Sequence, residues 1–215
     1  MKYFSTLPFI VSTDPNGNKI AAVNLLVRTS IVPGLLNDPS LYYEYDIQEG
    51  DTPEIIASKY YNDPYRYWLV LFANQLFDPQ WDWPLPYQIF INYINDKYAS
   101  DAANNNMDPI AYTQATIYEY RKIISTTDST TQNTTIDNYV VDFATYTNTI
   151  TGSETVAFQP TKWNDNAQVT VTISKAPVSI YDWEEEQNEK RRSIRLLNAG
   201  YVNQIEEQFN YLANK

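Results

Sequence analysis

The spacing of apolar and polar residues predicts the first two elements of the clearest segment of the chain. Tyr43, Tyr45 and Ile47 alternate with polar neighbours, and this period of two is typical of a half-buried strand. A turn follows, with Thr52 as a candidate N-cap and Pro53 at the first helical position. Proline suits this position because an N–H there would make no hydrogen bond within the helix. The pattern therefore predicts a strand followed by a helix.

The same segment continues with a second helix and a second strand. Asp63 and Pro64 repeat the cap-and-proline device, and apolar residues then recur at helical spacing. After a loop rich in Trp and Pro, Ile89, Ile91 and Tyr93 alternate with Gln88, Phe90 and Asn92. Residues 41–98 are therefore predicted to form a unit with the order strand, helix, helix, strand.

Residues 1–40 are predicted to form an N-terminal arm that is too thin for a core of its own. Its predicted elements are an extended run from Tyr3 to Ser12, a turn over Asp14–Asn18, where Gly17 supplies positive φ, and a helix over Ile20–Arg28.

Residues 99–178 are predicted to contain a small antiparallel β-unit with polar loops. An extended run covers Ile117–Ile124, the polar stretch Ser125–Asp137 is predicted as a loop, and two further strands lie around Val141 and Val171.

Residues 179–215 are predicted to be two helices. Ser179 caps the first, which extends from Ile180 to Leu197 with so thin an apolar stripe that we expect it to order only in an assembly. A stripe of Tyr201, Ile205, Phe209 and Leu212 marks the second. The fold class predicted for the whole chain is α+β.

Composition excludes several kinds of chemistry. The 215 residues include no His and no Cys, which removes thiolate and imidazole metal sites, disulfides, and Ser-His or Cys-His catalysis. A net charge of −11 opposes binding to nucleic acid and to anionic membranes. The apolar runs are too short to span a bilayer, and the first residues do not resemble a signal peptide. We expect no metal and no cofactor.

Residues 41–98 resemble a LysM domain, which has a βααβ fold. The matching positions are Tyr45, Ile47, Gly50-Asp51-Thr52, Ile56-Ala57, Tyr60-Tyr61, Leu71, Asn74, Ile89 and Ile91. In that family, two loops at one end of the domain bind polymers of N-acetylglucosamine. The resemblance implies a candidate glycan site at Gly50, Asp51, Thr52 and Asn74. Because the loop Phe77–Pro84 is bulky and aromatic, we expect little or no binding of peptidoglycan.

Nearly the whole chain resembles the baseplate wedge subunit of contractile-tailed bacteriophages, the gene product fifty-three family. The stretches that match are Tyr43–Glu54, Asp63-Pro64 with Tyr67-Trp68 and Leu71–Asn74, the loop Asp78–Trp83, and Glu186–Arg192. The resemblance implies a non-enzymatic structural protein that joins neighbouring wedges into a closed ring around the tail hub. It implies assembly in the host cytoplasm, a final location in the virion tail baseplate, and other wedge proteins as partners.

Three surfaces are candidates for binding those partners: the arm, the tryptophan loop and the last helix. Their residues are Phe4, Phe9 and Ile10; Trp81 and Trp83; and Tyr201, Ile205, Phe209 and Leu212. Trp81 and Trp83 each allow two interpretations. A tryptophan can fill a pocket on another chain, or it can fold back as a lid over the Leu71–Phe72 face of its own domain.

Two functions from other classes remain as alternatives, a peptidoglycan-binding LysM module and a tail-associated cell-wall hydrolase. A hydrolase would need two carboxylates about 5–10 Å apart. The pair Asp78 and Asp82 and the run Glu184–Glu186 are the candidates for such a pair. Local turn bonding is the favoured interpretation of the first pair, and a solvated helix face that of the second.

Overall fold

A computed structural model describes residue 3 and residues 7–24, 38–157 and 168–213. The chain divides into two compact units: unit 1 comprises Met1–Tyr87 with Asn188–Lys215, and unit 2 comprises Gln88–Gln187. Unit 1 is therefore discontinuous in sequence, with unit 2 inserted into it. This division differs from the four consecutive segments predicted above.

The described elements combine helices and an antiparallel arrangement of strands, consistent with the predicted α+β class. The strands are β1 (Phe9–Thr13), β2 (Lys19–Val23), β3 (Tyr42–Asp46), β4 (Ile117–Asp128), β5 (Thr134–Val141), β6 (Gly152–Ala157), β7 (Gln168–Ser179) and β8 (Ser193–Leu197). The α-helices are α1 (Pro53–Tyr61), α2 (Tyr67–Ala73), α3 (Pro79–Asp82), α4 (Tyr87–Asn104), α5 (Pro109–Ala115), α6 (Phe143–Asn148), α7 (Ile180–Lys190) and α8 (Val202–Ala213). None of the helices in the described part of the chain is long and apolar enough to cross a membrane.

The described part of the arm is a β-hairpin. The predicted turn is confirmed: the Asp14 carboxylate accepts the Asn16 and Asn18 N–H groups, and Gly17 has φ +86°. The helix predicted from Ile20 is wrong, because Lys19–Val23 forms β2 and pairs antiparallel with β1. The end of that predicted helix, residues 25–28, lies outside the described residues.

The first three elements of the predicted βααβ unit are confirmed. Strand β3 covers the alternating tyrosines, and the Thr52 side chain caps α1 by accepting the Ile55 N–H at 3.3 Å. Asn62 ends α1 in the left-handed conformation, and Asp63 then caps the short 3₁₀ turn that leads into α2.

The fourth element is not where the sequence placed it. Residues 88–93 are helical and belong to α4, because the dense apolar run fits both periods and Phe90 and Ile94, four residues apart, are both buried. The partner of β3 is instead β8, with Tyr45 opposite Ile194 in an antiparallel pair. The predicted helix to Leu197 is corrected accordingly: α7 ends at Lys190, and Ser193–Leu197 is a strand.

One apolar core holds unit 1 together. Helix α2 contributes most to it through Trp68, Leu69, Val70 and Ala73, all of which are buried. The other buried members are Leu7, Tyr42, Ile47, Ile56, Ala57, Tyr61, Ile194, Leu196, Leu197, Val202, Phe209 and Ala213. Each large aliphatic side chain that is buried in this way contributes about 1.5–3 kcal/mol.

Unit 2 contains a four-stranded antiparallel sheet in the order β5-β4-β7-β6. The antiparallel β-unit predicted for this region is confirmed, but the loop predicted at Ser125–Asp137 is wrong. Strand β4 extends to Asp128 and β5 begins at Thr134, so this stretch is a hairpin with a short turn. Threonine is β-branched and favours strands despite its polarity, which is why composition alone suggested a loop.

Helices α4 and α7 supply most of the buried side chains of unit 2, and Thr113 of α5 is also buried. Phe90 and Ile180 are buried, and the Phe90 and Tyr181 rings meet edge to face at 5.7 Å between centroids. Helix α7 begins as predicted, since the Ser179 hydroxyl accepts the Asp182 N–H. Helix α6 packs its Tyr146 ring on Tyr120 of β4.

Candidate functional site

Two loops of unit 1 contain the residues on which the glycan and partner predictions depend. The first loop is Gly50–Pro53, between β3 and α1, and the second loop is Leu76–Trp83, which follows α2. The two loops are in contact, because the Trp83 Nε1–H donates to the Asp51 carbonyl at 3.0 Å.

Asp51 organises the first loop from within the protein. Its side chain is 4% exposed, and its carboxylate accepts hydrogen bonds from Lys59 Nζ at 2.6 Å, the Tyr45 hydroxyl at 2.6 Å and the Gln48 N–H at 3.2 Å. Burial alone would raise the pKa of the Asp51 carboxyl, but the bonds from Lys59, Tyr45 and Gln48 outweigh burial and lower it. The bond to Asp51 raises the pKa of Tyr45 to about 12.

The other three candidate glycan residues also have structural roles. Gly50 has φ +84°, a conformation that strongly favours glycine, and Thr52 caps α1. The Asn74 side chain joins α2 to β8: its amide group donates to the Val70 and Arg195 carbonyls, and its oxygen accepts the Arg195 N–H at 2.7 Å. In this arrangement, the side-chain polar groups of Asp51 and Asn74 already bond within the protein.

The two tryptophans of the second loop have different environments. Trp83 is half-buried, packs against the core of unit 1 and bonds to the first loop, so it folds back onto its own unit. Trp81 is 64% exposed, and Phe77, four residues before it, is 79% exposed. Only Trp81 is therefore available to act as an anchor for a partner.

Two residues of the stretch Glu186–Arg192, neither of them predicted as a site residue, hold the second loop and the segment after it. The Arg191 Nη1 group donates to the Trp81 carbonyl at 2.8 Å. The buried Asn188 side chain accepts the Leu85 N–H at 2.7 Å and donates to the Leu85 carbonyl at 3.0 Å. An isolated Asn in a charged helix gives no sequence signal for such a long-range bond.

The other predicted partner residues divide between surface and core. On the hairpin, Phe9 and Ile10 are exposed, whereas Phe4 lies outside the described residues. In the last helix and the turn before it, Tyr201 and Leu212 are exposed. The predicted partner stripe must be corrected at Phe209 and Ile205. Phe209 is buried, and Ile205 packs against the same core.

Three of the carboxylates considered for hydrolysis, those of Asp82, Glu184 and Glu186, bond within the protein. Asp82 Oδ2 accepts the Asp78 N–H at 3.2 Å, a local turn bond of the predicted kind. The solvated face predicted for Glu184–Glu186 is confirmed for the exposed Glu185 and wrong for Glu184, which is buried in unit 2 and accepts bonds from Lys97 Nζ and the Tyr98 hydroxyl. Glu186 forms an ion pair with Arg121 at 2.6 Å.

Beside the first loop is an open groove with paired charges. Its lining includes Asp46, Glu49, Glu189 and Arg192. Arg192 forms ion pairs with Glu189 at 2.7 Å and Glu49 at 3.5 Å, so these two carboxylates already have a cationic partner. Across the described ranges, no group of three or more metal-binding side chains could hold a metal ion.

Comparison with known proteins adds no identification. No family model matches the chain, and no curated protein matches it.

Proposed function

We propose that this chain is a structural, non-enzymatic subunit of a phage tail baseplate, which joins neighbouring wedges into a closed ring around the tail hub. The observation that carries the proposal is the arrangement of unit 1. Strands β3 and β8 pair antiparallel, and helices α1 and α2 lie between them in sequence, with unit 2 inserted before β8. This order supports the proposal, because a LysM-like βααβ core with an insertion before its last strand would have the same order.

The environments of the two loops favour a structural role over recognition of a sugar. Hydrogen bonds from Lys59, Tyr45 and Gln48 occupy the Asp51 carboxylate, and Trp83 bonds to the Asp51 carbonyl. A sugar would have to displace these bonds, and each lost bond to a charged group costs about 1.5–3 kcal/mol. The exposed Trp81 offers a protein partner the type of side chain that dominates interface energetics.

Co-assembly with the other tail proteins of the same phage tests this proposal. We expect the wild-type chain to convert single wedges into closed rings that electron microscopy can count. Trp81→Ala should leave the monomer folded by circular dichroism and block ring closure, since truncating an anchor of this type costs about 2 kcal/mol or more, roughly thirtyfold in affinity.

The matched control is Tyr139→Ala, which removes an exposed aromatic side chain from strand β5 of unit 2. This variant should form rings as the wild type does. Failure of the wild-type chain to join wedges under conditions where the other tail proteins assemble would overturn the proposal.

A further inference from the structure

We infer that Phe77 and Trp81 form a docking surface for an arginine-bearing segment of a partner protein. This inference rests on the proposed function, since it names the chemistry of the partner that the second loop receives. Three features of the loop support it: exposed aromatic rings, a backbone that is already held in place, and carboxylates that flank the rings.

The two rings are unusually exposed for large apolar side chains. Phe77 is 79% exposed and Trp81 is 64% exposed, whereas Trp83 in the same loop packs on the core. Phe77 lies two residues before helix α3, and Trp81 lies within it, so both exposed rings belong to one short stretch of the second loop. The loop therefore presents two exposed aromatic rings within five residues of the chain.

The backbone beneath these rings is held by bonds that do not involve the rings. The Leu76 N–H donates to the Leu71 carbonyl at 2.9 Å, the Trp81 N–H to the Asp78 carbonyl at 3.0 Å, and Arg191 to the Trp81 carbonyl at 2.8 Å. A preorganised loop loses little conformational entropy when a partner binds, so more of the contact energy appears as affinity.

The charges of the loop select the kind of partner. Asp78 and Asp82 flank Trp81, and Leu76–Trp83 contains no basic residue. Arg191, the cation that bonds to the Trp81 carbonyl, offsets one of these two charges and leaves the loop negative. A guanidinium group stacks on an indole face while its N–H groups bond to carboxylates, a combination that an ammonium group matches less well. A second copy of this chain is a poor occupant, because each copy has a net charge of −11.

The test uses the full-length chain, and its probes are three short peptides and the N-acetylglucosamine trimer. The peptides are acetyl-Leu-Arg-Leu-amide, the same peptide with citrulline in place of Arg, and the same peptide with Glu. The indole N–H signal of Trp81 reports binding by NMR and is assigned by its loss in Trp81→Phe. We expect the Arg peptide to shift this signal, the citrulline peptide to bind about fivefold to tenfold more weakly, and the Glu peptide not to bind.

Variants then assign the interaction to the loop. Asp78→Asn with Asp82→Asn should weaken the Arg peptide to the level of the citrulline peptide, and Trp81→Ala should abolish binding. Asn keeps an oxygen that can accept the Asp78 N–H, so the loop bond survives in the double variant. The matched control is Asp96→Asn with Asp101→Asn, two exposed carboxylates of unit 2, which should bind as the wild type does.

Three results would overturn the inference: no shift of the Trp81 signal with the Arg peptide, equal binding of the citrulline peptide, or a shift only with the N-acetylglucosamine trimer. The last would assign the surface to a sugar. If the wild-type chain joins wedges but the Arg peptide does not bind, the inference is wrong and the proposed function stands. If the chain joins no wedges, the proposed function is wrong, and the peptides still decide the chemistry of the loop.

Discussion

The two units differ in what holds them together. Among the residues that the structure describes, sixteen buried apolar residues belong to unit 1 and only four, Phe90, Ile94, Ala102 and Ile180, belong to unit 2. The strands of the unit 2 sheet have exposed or half-buried side chains along their described length. Unit 1 therefore has a core typical of an independently stable domain, whereas unit 2 depends more heavily on hydrogen bonds and ion pairs.

Among the described residues, each unit contains one buried acidic side chain, and the two show the same contrast. Asp51 lies at the edge of a large apolar core and orders a loop beside it. Glu184 lies among the few buried residues of unit 2, where Lys97 and Tyr98 bond to it at 2.5 Å and 2.6 Å. Loss of either carboxylate should destabilise its own unit, and the loss should matter more in unit 2.

The largest effect is expected in the core of unit 1. Leu69 is fully buried in α2, so Leu69→Ala should lower the free energy of unfolding by about 3–5 kcal/mol through lost burial and the cavity that remains. Urea denaturation followed by tryptophan fluorescence measures this. Leu212→Ala is the matched control, because Leu212 is 53% exposed in the same unit and should change stability by only about 0.5 kcal/mol. Equal losses in the two variants would contradict a core centred on α2.

In unit 2, we expect Glu184→Gln to cost about 1–3 kcal/mol, because charge-assisted bonds to Lys97 and Tyr98 are lost in a buried place. The expected loss of stability is moderate because the Lys97 side chain is 42% exposed, so its ammonium group can bond to water instead. Hydrogen exchange should show faster opening of unit 2 amides, with unit 1 unchanged. Glu185→Gln, at an exposed position on the same helix, is the control. Equal acceleration in both units would show that they unfold together.

Local signals predicted much of the fold. The caps at Thr52, Asp63 and Ser179 and the turn at Gly17 are backbone chemistry within a few residues, and all four occur in the structure. The alternation of exposed Ser193 and Arg195 with buried Ile194 and Leu196 is also a strand signal. The helical pattern that begins at Ile180 hid this strand signal, because it led to the prediction of one continuous helix.

Long-range pairing could not be predicted in this way. The pairing of β3 with β8 joins segments about 150 residues apart, and nothing near Tyr45 indicates Ile194 as its partner. The candidate site shows the same limit. The aromatic character of the second loop was evident, but the inward position of Trp83 and the outward position of Trp81 depend on Asp51 and Arg191, which come from distant parts of the chain.

A smaller effect is expected at the first loop, and it should depend on pH. Asp51→Asn should cost about 1–2 kcal/mol at pH 7, since Lys59 is mostly exposed and its ion pair is weakened by solvent. Folding lowers the pKa of the Asp51 carboxyl below its usual 3.8, so its charge stabilises the fold above that pH. This contribution is lost as the pH falls through the pKa of the folded state.

The stability difference between wild type and Asp51→Asn should therefore narrow as the pH is lowered below about 4. Urea denaturation at a series of pH values measures it. Asp46→Asn, an exposed carboxylate at the end of β3, is the control and should show little difference at any pH. A gap that stays constant down to pH 2 would mean that Asp51 acts through its shape and not through its charge.

The smallest effect on the stability of unit 1 is expected from the removal of unit 2, although this is the largest change to the chain. Residues 88–187 can be replaced by about four Gly and Ser residues, because Leu85 and Asn188 are joined by two hydrogen bonds of 2.7 and 3.0 Å and the cut ends lie close together. The core of unit 1 loses none of its described members.

We therefore expect the shortened chain to fold cooperatively, with a free energy of unfolding for unit 1 within about 1 kcal/mol of the full-length value. Near-ultraviolet circular dichroism and urea denaturation test this, and Leu69→Ala in the shortened chain should still cost about 3–5 kcal/mol. A shortened chain that lacks fixed aromatic packing would show that unit 1 requires the insertion to bring β8 to β3. Intact packing would instead establish that unit 1 reaches its fold without the insertion.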